Sequence, residues 1–169
     1  MSSADSNTPA SNANRDHDHD HGKCVAEALA SAERVCEAQG ARLTPQRRQV
    51  LELIWRSHVP VGAYEILDAM RDGGRRADPP TVYRALEFLA GLGLIHRIST
   101  RNAFIGCSHP MSEHRAQVLL CDGCGQATEI EIGTIAQGLT DGAADLGFAI
   151  ADQTVEASGL CRSCQSTAH

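Results

Sequence analysis

Large apolar side chains are scarce in this sequence. Among its 169 residues there are one Trp, two Tyr and three Phe, so aromatics make up only 4%. A chain of this length allows one medium domain or two small ones, each with a modest core, and a small lobe with few large apolar residues needs a staple or a partner. Long hydrophobic runs are missing as well. A membrane helix needs 18 or more apolar residues, and the longest stretch, Ala85 to Ile95, is broken by Glu87, Gly91 and Gly93. The start is polar, with no basic residues leading into an apolar core, so no secretory signal is expected. A cytoplasmic protein without a membrane partner is therefore expected. Net positive charge is lacking too: the formal charge is −6, which on average speaks against a nucleic-acid partner.

What is present is unevenly placed. Residues 1–22 carry one Arg and four Asp; residues 41–101 carry ten Arg against six acidic residues, a net +4; residues 102–169 carry two Arg against eight acidic residues. A basic segment thus lies between acidic ones. Its positive charge is all arginine, since Lys23 is the one lysine, and arginine is the better side chain for bidentate contact with phosphate or a guanine edge.

Seven cysteines occur, at 24, 36, 107, 121, 124, 161 and 164. An odd number, with two Cys-x-x-Cys pairs, points to a reducing compartment and metal binding and not to a disulfide framework. Cys121, Cys124, Cys161 and Cys164 supply four thiolates, the ligand set of a structural tetrahedral Zn²⁺. The pairs are far apart in sequence, so the expected site is a clasp between two turns that each follow a strand. Cys36 falls on an apolar helical stripe and Cys24 has no partner at metal spacing; neither is assigned a function.

Residues 1–22 are nearly devoid of apolar side chains and are expected to be disordered, with an Asp/His alternation from Asp16 to His21 that can chelate metal loosely. From Lys23, Val25, Ala28, Leu29, Ala32, Val35 and Cys36 recur at helical spacing up to Gly40. Thr44-Pro45 opens a second helix with Val50, Leu51, Ile54 and Trp55 inward. Val59 to Gly62 is a connection, Ala63 to Arg71 a third helix, and Pro79-Pro80 opens a fourth. Strands are expected at Leu94 to Ser99 and Ala103 to Cys107. Helices followed by a tight hairpin make a winged helix-turn-helix, its last helix entering the major groove. Beyond residue 108, strands at Arg115 to Cys121, Gln126 to Ile132 and Phe148 to Glu156, with a helix from Ile135 to Leu146, make a small second lobe. The fold class is α+β: an N-terminal winged helix-turn-helix followed by a small α/β lobe. A second, looser ligand group is His96, Cys107, His109, His114 and Glu129, drawn from both lobes.

Ala41 to Arg47 (ARLTPQR), Pro79 to Leu86 (PPTVYRAL) and the double Cys-x-x-Cys resemble the ferric uptake regulator superfamily over roughly residues 25–164. Cys107 in the hinge resembles the zinc uptake regulator branch, where the iron branch carries a His-His-Asp-His run. The resemblance implies a zinc-sensing transcriptional repressor that binds double-stranded operator DNA as a zinc-loaded homodimer. No small-molecule substrate other than metal and no enzymatic activity are implied. It implies two Zn²⁺ per chain: a structural one at the four thiolates and a regulatory one at His96, Cys107, His114 and Glu129, with His109 the alternative to His114. It implies DNA contacts from Arg42, Tyr64, Thr81, Tyr83 and Arg84, with Arg47, Arg97 and Arg101 placed for phosphate. The divisions expected are a tail at 1–22, a DNA-binding domain at 23–107, a hinge at 108–114, and a dimerisation and metal-binding domain at 115–169. Sensing of iron, manganese, nickel or peroxide, and zinc storage or a zinc-dependent enzyme, are the alternatives.

Overall fold

The computed structural model describes residues 21–74, 77–112, 115–151 and 153–167. Helix α1 (His21–Ala38) buries Ala32, Val35 and Cys36, the inner part of the stripe read from the sequence. It begins at His21, so the last two residues of the expected tail are helical; residues 1–20, with the rest of that expectation, lie outside the described residues. Thr44 caps α2 (Pro45–Trp55) by accepting from the Arg47 N–H at 3.4 Å, and Pro45 fills the first position, where a missing N–H costs nothing. Helix α3 (Ala63–Asp72) starts where the Gly62 N–H donates to Glu65 Oε2 at 2.7 Å. Helix α4 (Pro79–Gly91) is capped by Asp78, which accepts from the Thr81 N–H at 2.9 Å.

Val50, Leu51 and Ile54 of α2, Ile66, Leu67 and Met70 of α3, and Val82, Leu86 and Leu89 of α4 close on one another and on α1. At about 1.5–3 kcal/mol per fully buried large aliphatic side chain, this packing is the main favourable contribution to the first lobe. Gly93, at φ +66°, turns the chain out of α4 into β2 (Ile95–Ile98). A 3-10 turn (Ser99–Arg101) and Asn102 at φ 46° lead into β3 (Ala103–Gly106). The wing has a third strand that the sequence did not announce. β1 (Val61–Gly62), read as connection, pairs antiparallel with β3, giving the order β1-β3-β2. Two residues are too few for any periodicity to register.

The second lobe is a sheet of β4 (Ala116–Cys121), β5 (Ala127–Ile130) and β6 (Thr154–Gly159), in the order β5-β4-β6. β5 is antiparallel to β4. β6 is parallel to it and is reached by the crossover helix α5 (Gly133–Asp145), as parallel pairing requires. Two sequence expectations are corrected here. The third strand starts at Thr154, not at Phe148, whose side chain is 68% exposed. Cys161-x-x-Cys164 leads into a short helix, α6 (Arg162–Thr167), not a plain turn.

The lobes share a second core in which Ile98 and Ile105 of the wing pack with Val118, Leu120 and Ala127 of the sheet. Around it, the Ala127 N–H donates to the His58 carbonyl at 2.8 Å. Arg101 pairs with Asp122 at 3.1 Å, and Glu156 accepts from the wing turn.

Candidate metal centres and nucleic-acid interface

Cys121 ends β4 and Cys161 follows β6, and the register that sets Cys121 opposite Gly159 brings their two turns side by side. Donor atoms of Cys121, Cys124, Cys161 and Cys164 all lie within 4.8 Å of one another. Backbone N–H groups of Cys161 and Cys124 donate to Cys121 Sγ at 3.3 and 3.5 Å and hold that thiol down to about 6. Cys164, crowded first by the Cys161 thiol and then by Cys121, is pushed up to about 12. Four sulfurs this close repel as thiolates, so the set is suited to a thiophilic cation of tetrahedral preference. Gly123 is required by this packing: a Cβ there would lie 2.8 Å from Cys164 Sγ and 2.9 Å from Cys164 Cβ.

The second cluster spans the lobes. His96 on β2, Cys107 just past β3 and Glu129 on β5 bring their donor atoms within 4.8 Å. His96 pairs across the wing with Ile105, so Cys107, two residues on, lies on the same face and diagonal to it. His96 Nε2 is 2.8 Å from Glu129 Oε1, and the other carboxylate oxygen accepts from the Ser108 N–H at 2.7 Å. Glu129, which reads in sequence as an ordinary strand carboxylate, is only 4% exposed. The Cys107 thiol is pushed up to about 12, first by burial and then by the Glu129 charge, against a backbone N–H of His109 that draws it down. A buried N/S/O set of this kind suits Zn²⁺. His109 joins through its backbone, and its side chain is not among the clustered donors; His114 lies outside the described residues.

The first lobe presents its own surface. On α4, Val82, Ala85, Leu86 and Leu89 are buried while Tyr83 is 44% exposed and Arg84 is exposed; Thr81, in the first turn, is half-buried. Tyr64, on the first turn of α3, is 68% exposed. Arg42 is exposed, and its carbonyl accepts from Arg47 at 2.7 Å. The Arg47 guanidinium stacks 3.3 Å above the Phe88 ring, tying the start of α2 to α4. Arg97 donates to Asn102 Oδ1 at 3.0 Å. Arg101, expected to face phosphate, turns instead to Asp122 and to the Cys121 carbonyl in the second lobe.

Sequence reasoning missed the contacts of Ser108, Arg101–Asp122 and Glu156. Each joins residues at least 21 positions apart, and single-sequence periodicity carries no such information. Glu156 accepts from the Ser99 N–H at 2.6 Å, the Thr100 N–H at 3.1 Å and Thr100 Oγ1 at 2.5 Å. Burial raises its carboxyl, but these bonds outweigh that and leave it below its ordinary value.

A winged helix with an outward α4, locked to a lobe that builds one ligand cluster internally and a second across the junction, defines a two-lobed winged-helix protein with metal-ligating centres. The chain belongs to the ferric uptake regulator family, whose sequence pattern matches residues 38–158. It is 38% identical over 143 residues to the zinc uptake regulation protein of Escherichia coli (strain K12), covering 82% of this chain and 81% of that protein. The fold is similar to that of a zinc uptake regulator complexed with zinc and DNA: TM-score 0.80, 36% identity, 85% of this chain and 96% of the other. Against holo XcZur the TM-score is 0.77 at 42% identity, covering 84% of this chain and 99% of that one. Against apo XcZur it falls to 0.51 at 41% identity, covering 85% and 99%. Identity and coverage are nearly equal in the last two, so the difference lies in conformation, and the arrangement of this chain is more similar to the holo than to the apo structure.

Proposed function

We propose that the chain is a cytoplasmic zinc-sensing transcriptional repressor that binds operator DNA as a zinc-loaded homodimer and controls zinc-uptake genes. The observation that carries this reading is the inter-lobe set His96, Cys107 and Glu129, whose donor atoms converge within 4.8 Å. Its thiol is the donor that favours Zn²⁺ over Fe²⁺ or Mn²⁺. Similarity to zinc uptake regulators, and to one complexed with zinc and DNA, supports it.

Two Zn²⁺ per chain fit the residues. Cys121, Cys124, Cys161 and Cys164 would hold one permanently, in place of the large apolar residues the second lobe lacks. His96, Cys107 and Glu129, with His114 as fourth ligand, would hold the other; when bound it supplies a link between wing and sheet that a proton cannot. That division gives a DNA-binding domain ending at residue 107, a hinge at 108–114 and a dimerisation domain from 115. Helix α5 buries none of its residues, and Leu139, Leu146 and Phe148 are 47%, 86% and 68% exposed. This apolar surface is the face we assign to the second copy of the chain. With two copies fixed, the two α4 helices can address successive major grooves one turn apart. Arg84 hydrogen-bonds a purine edge, worth about 1–3 kcal/mol of discrimination, Thr81, Tyr83 and Tyr64 line the groove, and Arg42 positions on phosphate.

The test is metal content before and after mild chelation, read beside gel-shift titration. Two zinc ions per chain, one of them labile, with DNA binding lost and regained with the labile ion, is the expected result. A single ion, or DNA binding indifferent to the labile one, defeats the reading. Full response to iron or manganese without zinc reassigns the metal.

A further inference from the structure

The row of the second sheet that carries Glu129 carries a second carboxylate. Val118 of β4 is paired with Glu129 on one side and with Glu156 on the other. Residues paired across a sheet project from the same face, and Val118 packs there against Ile98 and Ile105 of the wing. The row therefore reads carboxylate, apolar contact, carboxylate, and all three face the wing. Both acids act on β2 and its continuation. Glu129 meets His96 at 2.8 Å; Glu156 takes the Ser99 N–H, the Thr100 N–H and the Thr100 hydroxyl.

The dimensions match. Two strand spacings separate Glu129 from Glu156, about 9.6 Å, and three residues of extended chain separate His96 from Ser99, about 10 Å. Strand β2 thus lies across the second sheet and is gripped at both ends. Only one grip includes metal-ligating chemistry. The other consists of a carboxylate and three donors and is complete by itself.

We propose that Glu156 is the metal-independent half of a two-point clamp: a positioning residue that fixes the far end of β2, so that metal at the Glu129 end sets the angle of the wing. Resting on the function proposed above, the inference deepens it by assigning what determines the zinc concentration at which the repressor closes. A single attachment at His96 leaves the wing free to swing about that point. With Ser99 and Thr100 held as well, loading the Glu129 end needs no search over wing orientations. The clamp lowers the zinc concentration required without touching the ion or the DNA.

The test uses the full-length protein, Glu156→Gln, Thr100→Val and the double variant. Each is titrated with buffered zinc against a labelled duplex selected from a random pool by the zinc-loaded wild type. The three hydrogen bonds go to a charged acceptor, which strengthens them, but they are exposed, which weakens each. Glu156→Gln is therefore expected to raise the zinc concentration for half-maximal DNA binding about tenfold, or 1.4 kcal/mol. DNA affinity at saturating zinc is expected to stay within about twofold of wild type, the tolerance for a residue touching neither partner. Thr100→Val should give a smaller shift in the same direction, with the double variant no worse than Glu156→Gln. Hydrogen exchange supplies a reading that does not use zinc: the Ser99 and Thr100 amides should lose protection in Glu156→Gln.

Superimposable zinc titrations would overturn the proposal, as would a loss of DNA affinity at saturating zinc with an unchanged midpoint. Failure of the repressor reading is distinguishable, because wild type and variant would then both ignore zinc. In that event the set-point role falls with the repressor reading, and amide protection decides the attachment by itself: lost protection upholds Glu156 as the residue that fixes the far end of β2, and unchanged protection overturns that too.

Discussion

The zinc affinity of the inter-lobe cluster should keep rising with pH well beyond the range in which an ordinary thiol levels off. Cys107 is 2% exposed, and burial, with the Glu129 charge behind it, moves its thiol from 9.0 up to about 12. A thiolate is the ligand, so each zinc ion bound there displaces a proton. Below the pKa of the thiol, every unit of added pH returns about 1.4 kcal/mol, or tenfold in affinity. Between pH 8 and 10 a thiol titrating at 9.0 gains only about tenfold, because it is ionised by the end of the interval, whereas Cys107 gains about a hundredfold. Competition with a chelator of known pH-corrected affinity measures this, with zinc at the four thiolates counted separately. Cys107→Ser should bind more weakly and lose the slope while remaining dimeric. Without metal the trend reverses. The folded thiol stays protonated while the unfolded one ionises, so the unfolded chain binds fewer protons and stability falls from about pH 9 toward 12. Affinity that levels off between pH 8 and 10, or stability trends alike with and without zinc, would refute this account of Cys107.

Cys121→Ser should leave the thiolate turns untied and give unfolded or monomeric protein by gel filtration; a stable zinc-loaded dimer would count against the structural assignment. Gly106→Ala should disturb the wing, since a Cβ there would lie 2.1 Å from Trp55 Cε2. Overpacking of this kind costs about 1–3 kcal/mol, and at about 2–4 °C per kcal/mol the drop in Tm is measurable. Trp55, the one tryptophan in the chain, reports the shift by its fluorescence, and an unchanged spectrum and Tm would show that the ring yields freely. Arg84→Ala should lose about 10- to 100-fold in specific DNA affinity, the loss of a bidentate base contact, with zinc stoichiometry unchanged; equal weakening on random DNA would make Arg84 a phosphate contact.

Local chemistry was legible wherever it was local. Thr44-Pro45 and Pro79-Pro80 announce helix starts, the spacing of Val50, Leu51 and Ile54 announces a buried face, and the two Cys-x-x-Cys pairs announce a four-sulfur cluster. The spacing of His96, Cys107 and Glu129 gave only a loose set, because three separated residues of mixed type constrain little until a hairpin and a sheet place them. The Phe148 error has a physical origin. Phe148-Ala149-Ile150-Ala151 is apolar enough to read as a strand, but Phe148 is exposed and pairing begins only at Thr154. Apolar character there serves a surface, which a single chain cannot distinguish from a core. The net charge of −6 misled in the same way, as an average over a basic wing-and-helix segment and an acidic remainder.

Whether a bound ion can report zinc depends on which parts of the chain its ligands come from. Cys121, Cys124, Cys161 and Cys164 all belong to the second lobe, and the β4–β6 pairing holds them together however the wing moves. An ion there has the same affinity with the lobes open or closed, and a ligand with equal affinity for two states shifts neither, however tightly it binds. His96 and Cys107 belong to the wing and Glu129 to the sheet, so the convergence of these donors depends on how the wing sits on the sheet. Opening removes a ligand, and a hundredfold loss of affinity on opening would correspond to about 2.7 kcal/mol. That difference is the most zinc can transmit to operator binding. The contacts at Glu156 and Arg101 add to closure whether or not zinc is present. They set the starting balance, and the inter-lobe ligands set how far zinc can tilt it.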